Sequence, residues 1–257
     1  MDKNLIKKRF TKAVSTYSKN ASVQQTVAGR MAWLIYRYVP RSCSHRTLEV
    51  GCGTGLFTRS LLKAVNPEHL VLNDICPDMA RCFTDLPSTR VRFLSGDAEQ
   101  IPLPHGQGLI ASCSVLQWFT DPDAFFARCH RALDDLGYLA FSTFGCENMR
   151  EIAGITGVSL PYRSLEDLKA SLSASYEVLF THEEHFTLTF PSALDVLKHL
   201  RETGVTGISR QHWTRTDLHD FCSRYEERFG QASVTGKSVT LTYHPIYIVA
   251  KKKTIVV

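Results

Sequence analysis

The stretch Thr47-Leu48-Glu49-Val50-Gly51-Cys52-Gly53-Thr54-Gly55-Leu56-Phe57-Thr58 constrains this chain more than any other. A short apolar run carrying one acid enters it, three glycines follow at alternate positions, and a helix-like segment leaves it. Glycines let a backbone turn sharply and approach a ligand with no Cβ in the way. The helix that follows presents unpaired N–H groups over the loop. A strand, a tight turn and a helix in that order predict a nucleotide-type cradle at the carboxyl end of a mostly parallel α/β sheet. Glu49 stands two residues ahead of Gly51, where a purely structural strand would carry Val or Ile. A carboxylate there can accept from an amine or steer a cation, and it would repel a pyrophosphate. The loop also lacks the Lys of a phosphate-binding P-loop.

Size and composition narrow the class. The chain has 257 residues, 44% apolar and 21% charged, which suits one soluble domain with a full core. No apolar run approaches the length of a membrane span. The basic start Lys7-Lys8-Arg9 has no apolar segment behind it, so the sequence reads as cytoplasmic rather than secreted. Eight cysteines are scattered without a CxxC pair, so no zinc-ligand spacing is present and no metal site is expected. A net charge of +5 permits an acidic partner without demanding nucleic acid.

Taken in order, residues 4–39 carry apolar residues at helical spacing and predict an amphipathic leader that packs across the ligand mouth. Tyr17 falls on its apolar side, as a core residue or as a lid residue whose hydroxyl faces the site. Residues 56–65 predict the first crossover helix, and 69–75 a second strand closing in Asp74. That acid lies where nucleoside-binding units place a carboxylate on the ribose hydroxyls, with helix capping as the alternative. Residues 91–99 predict a third strand whose exit carries Asp97 and Ala98, suited to an adenine amine and a ring nitrogen. Residues 108–116 are almost continuously apolar, as in a strand buried on both faces. Gln117 and Trp118 follow at its carboxyl end, the first as a polar group at the site mouth, the second as a core residue. Residues 122–135 predict a helix and 137–144 a fifth strand. Beyond them come short helices over 149–155 and 165–172, an alternating strand over 176–190, and helices over 192–203 and 216–229. Residues 239–250 predict a closing antiparallel edge.

The glycine segment resembles the first motif of class I S-adenosylmethionine (SAM) methyltransferases, E-x-G-x-G-x-G. The wider pattern resembles the malonyl-[acyl-carrier protein] O-methyltransferase family. The likeness runs through the leader (Phe10, Ala13, Tyr17, Ala21, Gln24-Gln25) and the segments 48–55 and 97–102. It continues through Leu116-Gln117-Trp118, the segment Leu197 to Val205, and Leu241-Thr242-Tyr243. It implies a Rossmann-like class I methyltransferase, a mostly parallel seven-stranded sheet with helices on both faces. The chain would be a single domain with a helical lid (1–40), a SAM-binding core (41–145), a substrate insert (146–215) and a C-terminal helix with strands (216–257). It further implies SAM contacts from Glu49, Gly51, Gly53, Gly55, Asp74, Ile75, Met79, Asp97, Ala98, Ser114 and Gln117. The implied substrate is a malonyl group on acyl carrier protein, methylated on its free carboxylate at the start of biotin's pimeloyl chain by a monomer with no membrane or nucleic-acid partner. Arg201, helped by Tyr17, would hold that carboxylate. The plain alternative for Arg201 is an exposed helix pair with Glu202. A methyltransferase acting on a small-molecule carboxylate or a quinone-like ring shares every cofactor motif and stays open at this point.

Overall fold

In the computed structural model, residues 2–204, 213–233 and 236–254 are described, with the side chains of 12–20, 233 and 236 left aside. Tyr17, Ala13 and Val205 therefore carry expectations on side chains outside the described set.

Among the described residues, ten strands form two sheets. The large sheet contains β1 (Arg46–Val50), β2 (His69–Asp74), β3 (Val91–Ser95), β4 (Gln107–Cys113), β5 (Leu133–Phe144), β6 (Tyr176–Glu183) and β10 (Pro245–Lys252). Their order is β3-β2-β1-β4-β5-β10-β6. The first five run parallel, and β10 lies antiparallel to both β5 and β6. The strand order reverses between β1 and β4, and open α/β sheets bind ligands beyond the strand tips at such a point. The three-stranded small sheet has the order β7-β9-β8, built from Phe186–Phe190, Gly236–Tyr243 and Gly230–Ser233.

Helices cover both faces of the large sheet. On one side lie α2 (Ser22–Tyr38) and α3 (Leu56–Ala64), which bury Val27, Met31, Leu34, Ile35 and Leu61 against β4, β5 and β10. On the other, α4 (Pro122–Ala132) and α6 (Leu165–Ser173) bury Phe125, Phe126, Cys129, Leu168 and Leu172. Local chemistry starts these helices where it should. Asp121 accepts from the Ala124 N–H ahead of α4, and a reciprocal Ser164–Asp167 cap opens α6. The remaining helices are α1 (Lys3–Asn20), α5 (Arg150–Thr156), α7 (Ala193–Glu202) and α8 (Arg215–Phe229).

The leader is helical as expected, in two pieces that break at Ala21: α1 packs on α7, α2 on the sheet. Two expectations need correcting. The stretch 176–190 is two strands in different sheets, split at Glu184-His185. The terminal stretch is no edge. Its first half, β9, is the middle of the small sheet, and β10 lies inside the large one with β6 outermost. Alternation along a strand reports buried faces; it does not report which neighbour supplies the hydrogen bonds.

Candidate active site

Two adjoining cavities lie at the carboxyl edge of the large sheet, the first over β1, β2, β3 and β4 and the second over β4 and β5. The first is walled by the β1–α3 glycine loop, by Asn73 to Cys76 after β2, by Gly96 to Ala98 after β3, and by Cys113 to Val115 after β4. Lys3, Ile6 and Phe10 of α1 and Gln24 and Ala28 of α2 close it from above. The second is lined by Asn148, Met149, Leu160 and Tyr162, by Thr203 after α7, and by Tyr243 at the end of β9, among others. Phe10, Gln24, Ser114 and Trp118 line both and mark their junction.

The glycine loop divides its work between two positions. Gly51 has φ +72°, and a Cβ there would fall 2.3 Å from Val115 Cγ2. Gly53, at φ +51°, would meet nothing within 4 Å. The first glycine lets the loop press against the turn after β4, and the second leaves the space above the loop open to a ligand. Gly55, in the left-handed region, opens α3 behind the wall rather than lining it.

Asp74 accepts from the Gly53 N–H through Oδ2 and from the Cys76 N–H through Oδ1, both at 2.8 Å. This double grip fixes the carboxylate at the rim with lone pairs to spare. Burial raises its pKa above the usual carboxylate range. Glu49 is deeper. It is 1% exposed and lies beneath the wall formed by its neighbours Val50 and Gly51, which do line the cavity. Thr58 donates to its Oε1 at 2.9 Å, whereas its buried Oε2 has no partner among the described residues. Burial, with the nearby Asp74 charge, pushes its pKa up to about 8. A buried, half-satisfied acid beside a second carboxylate calls for a cation from outside the protein.

Asp97 is engaged differently. Its Oδ1 accepts from the Glu99 N–H at 3.0 Å and its Oδ2 from the Lys3 ammonium at 2.6 Å. Lys3 also pairs with Glu99, so the first turn of α1 is tied to the loop after β3.

The structure thus brings Gly51, Gly53, Asp74, Ile75, Met79, Asp97, Ala98 and Ser114 to one wall, with Glu49 just under it. Gln117 lines the second cavity instead. The short 3-10 turn Leu116–Trp118 carries it there, and its amide is consumed by the Ser114 carbonyl at 2.6 Å and the Thr143 hydroxyl at 3.3 Å. Trp118, expected in the core, is buried yet lines both cavities, edge-on to Phe10 at 5.6 Å between ring centroids. Arg201 is exposed near the end of α7 and lines neither cavity; Thr203, two residues on, lines the second.

Sequence reasoning missed Gln24, Asn148, Tyr162 and Tyr243 as cavity residues. For Gln24 a signal was available, since it interrupts the buried stripe of α2 that otherwise reads Val23, Val27, Ala28 and Met31. Asn148 and Tyr162 bind each other at 2.7 Å, and His199 Nε2 lies 2.8 Å from the Tyr243 hydroxyl. These pairs join segments remote in sequence, and no local pattern announces them.

The residues fit SAM: an open glycine cradle, a rim carboxylate held by backbone, a buried acid with an unmet oxygen, and apolar walls from Phe57, Met79 and Phe119. Fold and cavity together define a class I methyltransferase. The methyltransferase domain family matches residues 48–141. A SAM-dependent methyltransferase from Mesorhizobium loti, 18% identical, superposes with a TM-score of 0.52 over 86% of this chain and 97% of its own, a likeness of fold.

Full-length comparison narrows the class. The malonyl-[acyl-carrier protein] O-methyltransferase of Bacteroides thetaiotaomicron is 49% identical over 98% of this chain and 99% of its own length. The one from Bacteroides fragilis is 52% identical over 98% of this chain, which spans about half (51%) of that longer protein. The chain belongs to the malonyl-[acyl-carrier protein] O-methyltransferase family.

Proposed function

We propose that this enzyme methylates the free carboxylate of a malonyl thioester carried on acyl carrier protein, with SAM as donor, forming the methyl ester that starts biotin's pimeloyl chain. The observation that carries the reading is the junction: a cradle built for a cationic nucleoside opens, through four shared residues, into a second cavity lined by amides, hydroxyls and rings. When bound, SAM supplies an electrophilic methyl whose bond to sulfur breaks, the sulfur keeping the electron pair, as a bond to a carboxylate oxygen forms. No proton moves, because a carboxylate is already ionised near neutral pH. The second cavity suits that need, since no His, Asp or Glu lines it among the described residues. A ring-carbon methyltransferase would require a base there.

The protein's own work is placement and exclusion of water. Asp74 and Glu49 orient the donor through its hydroxyls and its amino group. Phe10 and Trp118 at the junction keep water from the reacting atoms, which favours a reaction in which opposite charges cancel. Arg201 and the Tyr17 hydroxyl complete the proposal as groups that hold one oxygen of the carboxylate, Arg201 by turning inward from its exposed position near the end of α7. The acidic carrier would be guided by the chain's net charge of +5. The test is to mix purified protein, labelled SAM and malonyl-acyl carrier protein and to seek the methyl ester by mass. No ester from either malonyl-acyl carrier protein or malonyl-coenzyme A overturns the reading.

A further inference from the structure

Gln24 lies on the first turn of α2, 6% exposed, and lines both cavities at their junction. Its Oε1 is buried without a hydrogen-bond partner among the described residues. The contrast with Gln117 is direct. That amide lines only the second cavity and is bound at both ends by the protein, to the Ser114 carbonyl and the Thr143 hydroxyl. A buried acceptor left without a partner costs about 1–3 kcal/mol. Here it stands where two bound molecules would meet, on a stripe that an apolar residue would fill more cheaply.

We infer that the Gln24 carboxamide holds the substrate carboxylate at the junction and turns one of its oxygens toward the first cavity. The inference deepens the proposed reaction and rests on it. Which end of a carboxamide carries nitrogen is set by its hydrogen bonds. An anion in the second cavity draws the NH₂ end, leaving the oxygen for the cationic side. A neutral dipole has an advantage over a guanidinium at this spot. The reaction cancels a negative against a positive charge, so a cation touching the attacking oxygen stabilises the ground state more than the transition state. An amide donor fixes direction while leaving more of the negative charge on the nucleophile.

Two variants test it, each checked first for a cooperative melt. Gln24→Ala should lower kcat/KM for malonyl-acyl carrier protein about 10- to 100-fold, the worth of one hydrogen bond to a charged group. Binding of S-adenosylhomocysteine should stay within about twofold of wild type, a margin well under the tenfold that 1.4 kcal/mol represents. Gln24→Glu should be worse at pH 8, where two carboxylates face each other, and should recover as pH falls and the new acid regains a proton to donate. Wild type should lack that recovery. Calorimetry of malonyl-coenzyme A and of propionyl-coenzyme A on protein loaded with S-adenosylhomocysteine gives a readout free of turnover: Gln24→Ala should lose the preference for the malonyl group.

Wild-type kcat, KM and malonyl preference in both variants overturn the inference alone. So does an equal loss of S-adenosylhomocysteine and malonyl binding, which marks a merely structural residue. Failure of the wild type to form any methyl ester overturns the proposed reaction, and this inference with it.

Discussion

The two cavities share four residues and are built on opposite plans. The first is a backbone object. Its critical contacts are amide groups, φ angles and the short loops that end β1, β2 and β3, so its polar geometry is set within about fifty residues of chain. The second is a side-chain object. Its wall is assembled from the leader, the turn after β4, the end of β5, the segment before α6, the end of α7 and the end of β9. The first tolerates little change at a few positions. The second can be reshaped by substitutions spread along the chain, which suits a fold that keeps one donor and varies its acceptors.

The largest effect should come from breaking the backbone object. Gly51→Val adds a branched side chain at positive φ against Val115, combining overpacking of about 1–3 kcal/mol with about 1–2 kcal/mol for the left-handed backbone. We expect the protein to melt several degrees lower and SAM binding to be lost. Gly53→Ala should lower the melt by the φ cost of about 1–2 kcal/mol alone, less than at Gly51, while still weakening SAM by filling the cradle. Equal effects of the two would erase the distinction drawn between them.

In the second region the matching lesion is Glu151→Ala. The buried Glu151 carboxylate accepts from the Thr242 N–H at 2.9 Å and its hydroxyl at 2.6 Å, tying α5 to β9. Removing it leaves a buried N–H unpaired, about 1–3 kcal/mol. Malonyl binding should suffer while SAM affinity holds, as titration of each ligand separately would reveal.

Acid should separate the regions by sign. Glu49 has a folded pKa of about 8 against an ordinary 4.5, so its stabilising contribution is complete below 4.5 and is lost as pH rises toward 8. His199 and His244 are depressed below 6.5 by burial, so theirs is complete above 6.5 and is lost as pH falls. Hydrogen exchange followed from pH 5 to 8.5 should show protection falling in the glycine loop as it rises around β9. SAM affinity should also climb with pH, by up to tenfold per unit below about 8, and Glu49→Gln should flatten that slope. A common trend in both regions would refute the contrast.

Arg201→Ala sharpens the picture further. On the proposed role, kcat/KM for malonyl-acyl carrier protein should fall at least about tenfold, one hydrogen bond to a charged group, with SAM affinity intact. Unchanged turnover would hand carboxylate recognition to the uncharged lining. The smallest effect should be that of Lys3→Ala. The Lys3 pairs with Asp97 and Glu99 are partly exposed, worth about 0–1 kcal/mol, so a slight loosening of α1, read as faster proteolysis of the leader, is all we expect.

How much was legible follows the same division. Gly51, Gly53, Asp74 and Asp97 could be placed at the first cavity, and Glu49 just beneath it, because strand, turn and helix signals are local; Gly55 opens α3 behind the wall. Gln117 was read as a polar group at the site mouth and, through the resemblance, as a SAM contact, yet one 3-10 turn carries it into the second cavity. Tyr243 was read only as part of a terminal strand. That its hydroxyl meets His199, 44 residues away in sequence, depends on β9 leaving for a second sheet, and hydropathy alternation is identical whichever sheet a strand joins. Trp118 was read as core because a large apolar ring after a buried strand usually packs there; it is buried, and a cavity wall is buried too.

The passage from β9 to β10 takes a single residue, His244, between an inner strand of one sheet and an inner strand of the other. A tether that short has almost no slack. Load applied to the small sheet is delivered directly to the middle of the large one, where β5 and β6 clamp β10 from both sides. The wall that Tyr243 gives the second cavity is therefore braced by the core of the large sheet, whereas Phe10 and Gln24 reach it from the leader.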